Sequence, residues 1–129
     1  MTAEEMKSRT KACALRVVKL VNARPQNRVC VILGGQLLRA GTSVGSNYRA
    51  VGRAKSAPDF IHKLRIVEEE CDESLFWMEL LADGALVKAS QLEKLMAEGN
   101  EILSIVVTSA KTARSTQRAS IVNRQSSIG

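Results

Sequence analysis

QLLRAGTSVGSNYRAVGR, running from Gln36 to Arg53, decides how this chain folds. The stretch has helical periodicity, yet one of its stripes is built from small and polar residues. Gln36, Ala40, Ser43 and Asn47 recur at steps of four, three and four, the spacing that keeps side chains on one side of a helix. Leu33, Leu37, Val44 and Val51 run beside that stripe, and Arg39, Arg49 and Arg53 flank it. Small residues let another helix approach closely, and a buried amide fixes one arrangement because it needs hydrogen-bond partners. Gln36, Arg39, Ser43 and Asn47 therefore read as a structural seam, with Asn47 expected to be buried and bonded to a neighbouring helix. Gly34, Gly35, Gly41, Gly45 and Gly52 each cost a helix up to about 1 kcal/mol relative to alanine. Their number points to close helix packing, or to a bend at Gly34-Gly35.

Working outward, Arg24-Pro25-Gln26-Asn27 breaks the chain before this helix, and Asn27 is a good N-cap for it. The second helix is expected over about residues 28–54. Thr2-Ala-Glu-Glu5 has the form of a capping box for a first helix carrying Met6, Cys13, Val17, Leu20 and Val21. Ser56-Ala-Pro-Asp59 opens a third, with proline in the first turn, where its missing N–H does no harm. That helix carries the cleanest heptad: Phe60, Leu64, Val67, Cys71, Ser74, Met78 and Leu81 alternate steps of four and three. Gly84 ends it. Ser90-Gln-Leu-Glu93 opens a fourth helix with core positions Leu92, Leu95, Ile102, Leu103, Val106 and Ala110. Four amphipathic helices joined by short loops predict an all-α, antiparallel up-down-up-down four-helix bundle over residues 1–114. From Ser115 the composition turns to Ser, Arg, Gln and Asn, and residues 115–129 are expected to form a flexible tail.

The composition agrees. In 129 residues only 3% are aromatic and two are proline, while 45% are hydrophobic and 25% charged; this suits one helical globular domain rather than a sheet. No apolar run approaches the roughly 20 residues that span a bilayer. MTAEEMKSRTK lacks the apolar core of a secretion signal, so a cytoplasmic location and no membrane partner are expected. Cys13, Cys30 and Cys71 are widely spaced and odd in number, which supports neither a zinc site nor a disulfide framework. They read as buried free thiols.

The net charge of +6 hides a division. Residues 1–65 hold 13 of the 19 basic and 3 of the 13 acidic residues, a net of +10, and residues 66–129 carry −4. Such a split can serve a nucleic-acid partner or can join unlike faces within and between subunits. Ile66, Trp77 and Leu80 point away from the heptad of the third helix, so they are candidate residues of an oligomer interface.

QLLRAGTSVGSNYRAVGRAKS followed by PDFIHKLRIVEEECDESLFWMELL resembles a four-helix-bundle family first noticed as reading frames inside intervening sequences of large-subunit ribosomal RNA genes. That family also includes the accessory variability protein of diversity-generating retroelements. Gln36, Leu37, Arg39, Ala40, Ser43, Asn47, Phe60, Leu64 and Val67 carry the likeness, which extends over roughly residues 5 to 112. The resemblance implies a ring-shaped homopentamer. In the retroelement branch it implies a basic surface for nucleic acid and a reverse transcriptase as protein partner. It supplies no catalytic residue. Where the common pattern has Asn-Ile-Ala-Glu-Gly, this chain has Asn47-Tyr-Arg-Ala-Val-Gly52, which lacks the glutamate and is more basic.

The residues themselves offer little chemistry. His62 is the lone histidine, so the Glu-x-x-His pairs of di-iron bundles are absent. Glu68, Glu69, Glu70, Asp72 and Glu73 form an acidic run that could hold a divalent metal, or could serve as a solvated face and as partners for Arg39 and Arg49. No phosphate-binding glycine loop is present. The expected function is a non-enzymatic, homo-oligomeric scaffold or adaptor, without catalytic residue, metal or cofactor. RNA or DNA is a candidate ligand of a basic surface containing Arg9, Arg16, Arg49, Arg53 and Lys63. The alternative is a metal-dependent enzyme using the acidic third helix.

Overall fold

The structure, a computed structural model, describes residues 1–128, with side chains to residue 125. Among these residues there are four α-helices and no strand: α1 (Ala3–Asn22), α2 (Arg28–Val51), α3 (Ala57–Asp83) and α4 (Ala89–Ile128). Successive helices pack side by side and α4 returns to α1, closing the expected antiparallel bundle.

The helix starts follow their sequence signals. Thr2 and Glu5 exchange both bonds of a capping box: the Glu5 N–H donates to Thr2 Oγ1 at 3.1 Å and the Thr2 N–H to Glu5 Oε2 at 3.2 Å. The Cys30 N–H donates to Asn27 Oδ1 at 2.9 Å. At α3 the Asp59 N–H donates to Ser56 Oγ, while the carboxylate of Asp59 accepts from the Lys55 N–H. α4 begins at Ala89, one turn-residue ahead of the Ser90 start read from the sequence. At the end of α3 the left-handed residue is Ala85 (φ 57°), not Gly84. The Leu86 and Val87 N–H groups both donate to the Leu81 carbonyl there, the bonding of a helix C-cap that glycine ordinarily makes.

The heptad of α3 is the centre of the core. Leu64, Val67, Cys71, Ser74, Met78 and Leu81 are buried, and Phe60 is half-buried at the edge. Leu92, Leu95, Ile102, Val106 and Ala110 meet them from α4, with Leu103 half-buried alongside. The buried hydroxyls find bonds within their own helices, Thr10 to the Met6 carbonyl and Ser74 to the Glu70 carbonyl. Burying a hydroxyl without a partner would cost more than such a bond returns.

The close approach of α2 is made by its glycines and is aimed at α1. A Cβ placed on Gly41 would lie 2.9 Å from Val17 Cγ2, one on Gly45 would lie 3.4 Å from the Thr10 carbonyl oxygen, and one on Gly34 would lie 3.4 Å from Val21 Cγ1. α2 is one continuous helix through Gly34 and Gly35; Gly34, Gly41 and Gly45 serve packing, whereas Gly35 faces open space. The expected seam of Gln36, Ser43 and Asn47 needs correction. Gln36 is exposed, and Ser43 and Asn47 are half-buried. The Asn47 amide donates to the Ser43 carbonyl of its own helix at 2.9 Å, not to a neighbouring helix.

The other departure is at the C-terminal end. Residues 115–128, read as a flexible tail, continue α4 as helix. Ala110 is the last buried residue through Gln125, so the extension is an arm beyond the packed core. Gly129, the last residue of the expected tail, lies outside the described residues.

Candidate functional site

The five basic residues selected from the sequence fall on different edges of the bundle. Arg9 lies between α1 and α4 and is fully engaged: its Nε and a terminal nitrogen meet both oxygens of Glu98 at 2.8 and 2.6 Å, and Glu101 is 2.9 Å away. That fork-on-fork pairing raises the Arg9 pKa further and holds the Glu98 carboxyl below its ordinary value, with the charge of Arg16 helping. Lys63 reaches back one turn to both oxygens of Asp59, at 2.8 and 2.9 Å. Arg16 and Arg53 are exposed.

Arg49 has a different setting. It lines an open groove between α1 and α2 together with Glu4, Lys7, Ser8, Lys11, Thr42, Gly45 and Ser46, and within it Lys7 is paired with Glu4 at 3.2 Å. Gly45 forms the floor, because its missing side chain lets α2 lie against the α1 backbone at Thr10. Lys11 and Arg49 can neutralise phosphate oxygens there, and the hydroxyls of Ser8, Thr42 and Ser46 can donate to them, without reading a base. Lys7 and Lys11 belong to the basic face of the first helix, but sequence spacing alone did not separate them from Arg9, which the fold assigns to Glu98.

The acidic run of α3 is also divided by the fold. Arg39 of α2 forms ion pairs with Glu70, at 3.3 Å, and with Glu73. Glu73 also accepts from the Trp77 indole N–H at 3.2 Å. Arg49 takes no part in this, contrary to the pairing considered from the sequence. Glu68, Glu69 and Asp72 face a shallow depression beside Leu103 and Val107 of α4. Among the described residues no three Asp, Glu, His or Cys side chains are grouped closely enough to hold a metal ion.

The three cysteines are buried and unpaired. Burial pushes the Cys71 thiol up to about 12 and raises that of Cys13 as well. Cys71 Sγ donates to the Gly99 carbonyl at 3.3 Å. Such thiols pack as small hydrophobes and are poor nucleophiles.

Trp77 is half-buried, Ile66 likewise, and Leu80 is exposed. Further apolar residues that sequence periodicity did not single out are exposed on α2 and α3. Phe76 is 49% exposed on α3, and Val29 and Ile32 are 51% and 54% exposed on the adjoining start of α2. The Phe76 and Trp77 rings meet edge to face with centroids 5.1 Å apart. Ile66 is separated from Phe76 and Trp77 along α3 by Glu70 and Glu73 and their bonds to Arg39.

Residues 4–108 match the 23S rRNA-intervening sequence protein family. The chain belongs to this family. Among solved structures, the fold is similar to a crystal structure of a protein of unknown function from the S23 ribosomal protein family of Bacteroides thetaiotaomicron. The two share 31% identity over 86% of this chain and 99% of that one, with a TM-score of 0.80. No protein of curated function matches the chain significantly. The family match covers the seam of α2 and the heptad of α3 on which the sequence resemblance rested, and it stops short of the α4 arm. No described helix is long and apolar enough to cross a membrane.

Proposed function

We propose that this member of the family is a non-enzymatic scaffold or adaptor that works as a homo-oligomer, with a pentameric ring as its assembled form. The exposed apolar side chains of Val29, Ile32, Phe76 and Leu80, with half-buried Trp77 beside Phe76, support this reading. Large apolar side chains left in water are what a subunit contact covers. The number five comes from the family resemblance alone. Light scattering over a range of micromolar concentrations tests the assembly: a stable mass of five subunits is expected, and a monomer throughout would end the proposal.

Nucleic acid is the second part of the reading. The groove supports it through Lys11 and Arg49, which form no ion pair among the described residues, whereas Arg9, Lys63 and also Lys7, paired with Glu4 at 3.2 Å, are matched within the chain. Binding by such a groove would be indifferent to sequence and steeply weakened by salt, with a log–log slope of roughly −0.9 per phosphate neutralised on duplex DNA. Replacing Arg49 and Arg53 together by glutamate should then lower affinity for RNA and DNA of every sequence tried. Unchanged retention on a filter at low salt would remove the groove from the proposal. A reverse transcriptase as protein partner, and a cytoplasmic site of action, follow from the same resemblance and are part of this reading.

A further inference from the structure

Beyond Glu101 the chain carries Lys111, Arg114, Arg118 and Arg124 and no acidic residue. All four lie on the α4 arm, past the end of the matched family region at residue 108. Lys111, Arg114 and Arg118 recur at steps of three and four, so they share one stripe of the helix. That stripe continues the line of Leu103 and Val107, and it lies opposite Thr116 and Ser120, which line the cleft against Pro58. Lys111 and Arg118 are exposed and Arg114 is half-covered. None of the three forms an ion pair among the described residues. The acids of this end of the bundle are engaged elsewhere. Glu98 and Glu101 meet Arg9, Asp59 meets Lys63, Glu4 meets Lys7, and Glu5 accepts from the Thr2 N–H. Glu68, Glu69 and Asp72 face Leu103 and Val107, a turn or more before Lys111. At the root of the arm, exposed Lys55 lines a cleft with Ala113 and adds a further cation.

We propose that this stripe of the α4 arm is a nucleic-acid contact separate from the α1/α2 groove, in which Lys111, Arg114 and Arg118 neutralise successive phosphates of a duplex. The proposal shares the ligand class of the groove and none of its residues, so either surface can fail alone. From Lys111 to Arg118 the helix rises about 10 Å, the axial rise of about three phosphates along one strand of a duplex. Three cations thus meet three phosphates, and exposed Ser115 beside them can donate to a phosphate oxygen. Such contacts position the protein and read no base. A membrane surface fits the arm less well, because it calls for a broad apolar helix face. Through Gln125 the arm exposes two large apolar side chains, Ile121 and Val122. A helix beyond the packed core is also one that a ligand can order on binding.

The test uses the full chain and a short fluorescent DNA duplex of mixed sequence, with anisotropy read over a range of salt. One variant combines Lys111→Gln, Arg114→Gln and Arg118→Gln. Losing three phosphate contacts should reduce the magnitude of its log–log salt slope by roughly 2.7, at 0.9 for each contact. A second variant, Lys111→Gln with Arg118→Gln, changes only fully exposed positions and should reduce the slope by roughly 1.8. Lys111→Arg with Arg118→Lys keeps the charges and should keep the wild-type slope. The same decrements should appear in an Arg49→Glu background, which separates the arm from the groove. Amide exchange over residues 111–125 should slow when the duplex is added. An unchanged slope in both neutralised variants, or an arm that the duplex leaves unprotected, would overturn the proposal even if the groove binds. Arm-dependent binding to phosphatidylserine vesicles with none to the duplex would overturn it too and assign the stripe to a membrane surface. A wild-type chain that fails to bind the duplex at low salt would end both the arm and the groove.

Discussion

Gly41 of α2 lies so close to Val17 of α1 that a side chain at residue 41 would have its Cβ 2.9 Å from one Val17 methyl and 3.0 Å from the other. Val17 is fully buried and branched at Cβ, so it has little freedom to turn aside. Gly41→Ala should therefore destabilise the bundle by about 1–3 kcal/mol through overpacking. Gly35, in the same helix, has open space around its would-be Cβ. Gly35→Ala should stabilise by up to about 1 kcal/mol, since only the helix propensity changes. Urea denaturation of the two variants checks both signs. Equal effects at the two positions would refute the assignment of Gly41 to the α1 contact.

The ion pair joining α1 to α4 gives a pH dependence of known sign. The carboxyl of Glu98 is held below its ordinary pKa by Arg9. A depressed folded-state pKa contributes stability that is present above the unfolded value, near 4.3–4.5, and is lost as pH falls through the folded one. The pair is partly solvated, with side chains 19% and 21% exposed, so its worth is about 1 kcal/mol. Glu98→Gln should lower stability by that amount at pH 7 and by nothing once the pH is below the folded pKa. Melting temperatures measured from pH 7 to pH 2 for both proteins should converge at the acid end.

The end of α3 carries a local strain that one substitution should relieve. Ala85 has a φ of 57°, in the left-handed region where a Cβ crowds the following carbonyl. Ala85→Gly should stabilise the protein by about 1 kcal/mol, with the more flexible unfolded chain offsetting part of the gain. A loss of stability in a thermal or urea melt would show that the Ala85 side chain makes a contact worth more than the strain.

Much of this architecture was legible in the sequence, because helix caps and apolar periodicity are local signals. The three N-caps at Thr2, Asn27 and Ser56 and the α3 heptad depend on residues a few positions apart, and the fold uses them as written. The seam of α2 was harder. Glycines at 34, 41 and 45 and the polar stripe through Gln36 and Asn47 have similar spacings, and only the position of α1 determines which is covered. Arg9 and Lys7 look alike along α1, yet a rotation of about 160° between their directions sends one to Glu98 and the other to the groove with Arg49. The exposed residues Val29 and Ile32 lie on α2 and Phe76 on α3, so no single periodic pattern displays them together.

The thiols offer a check on the interior. Cys71 sits beneath α4 with its thiol pushed up to about 12 and donating to the Gly99 carbonyl. Native protein at pH 8 should react with a thiol reagent only as fast as the bundle opens, and all three cysteines should react at once in denaturant. Rapid modification of Cys71 in the native state would mean that α4 separates from α3 far more readily than this packing allows.

The arm of α4 gives the last prediction. Beyond Ala110 no residue through Gln125 is buried; Ala113, Arg114 and Gln117 are half-covered and those from Arg118 onward are exposed. A helix stabilised only by propensity is marginal at this length in water, so the arm should fray even though it is helical in the structure. Amide exchange over residues 118–125 should be fast, while Leu92 to Val106 exchange near the rate of global opening. Ending the chain after Arg114 should change the unfolding free energy by less than about 0.5 kcal/mol, the usual effect of altering surface positions. Gln117 and Ile121 line a cleft with Pro58, and that is the place where this could fail. A loss of more than about 1 kcal/mol on truncation would show that the arm closes over the α2–α3 loop and belongs to the bundle.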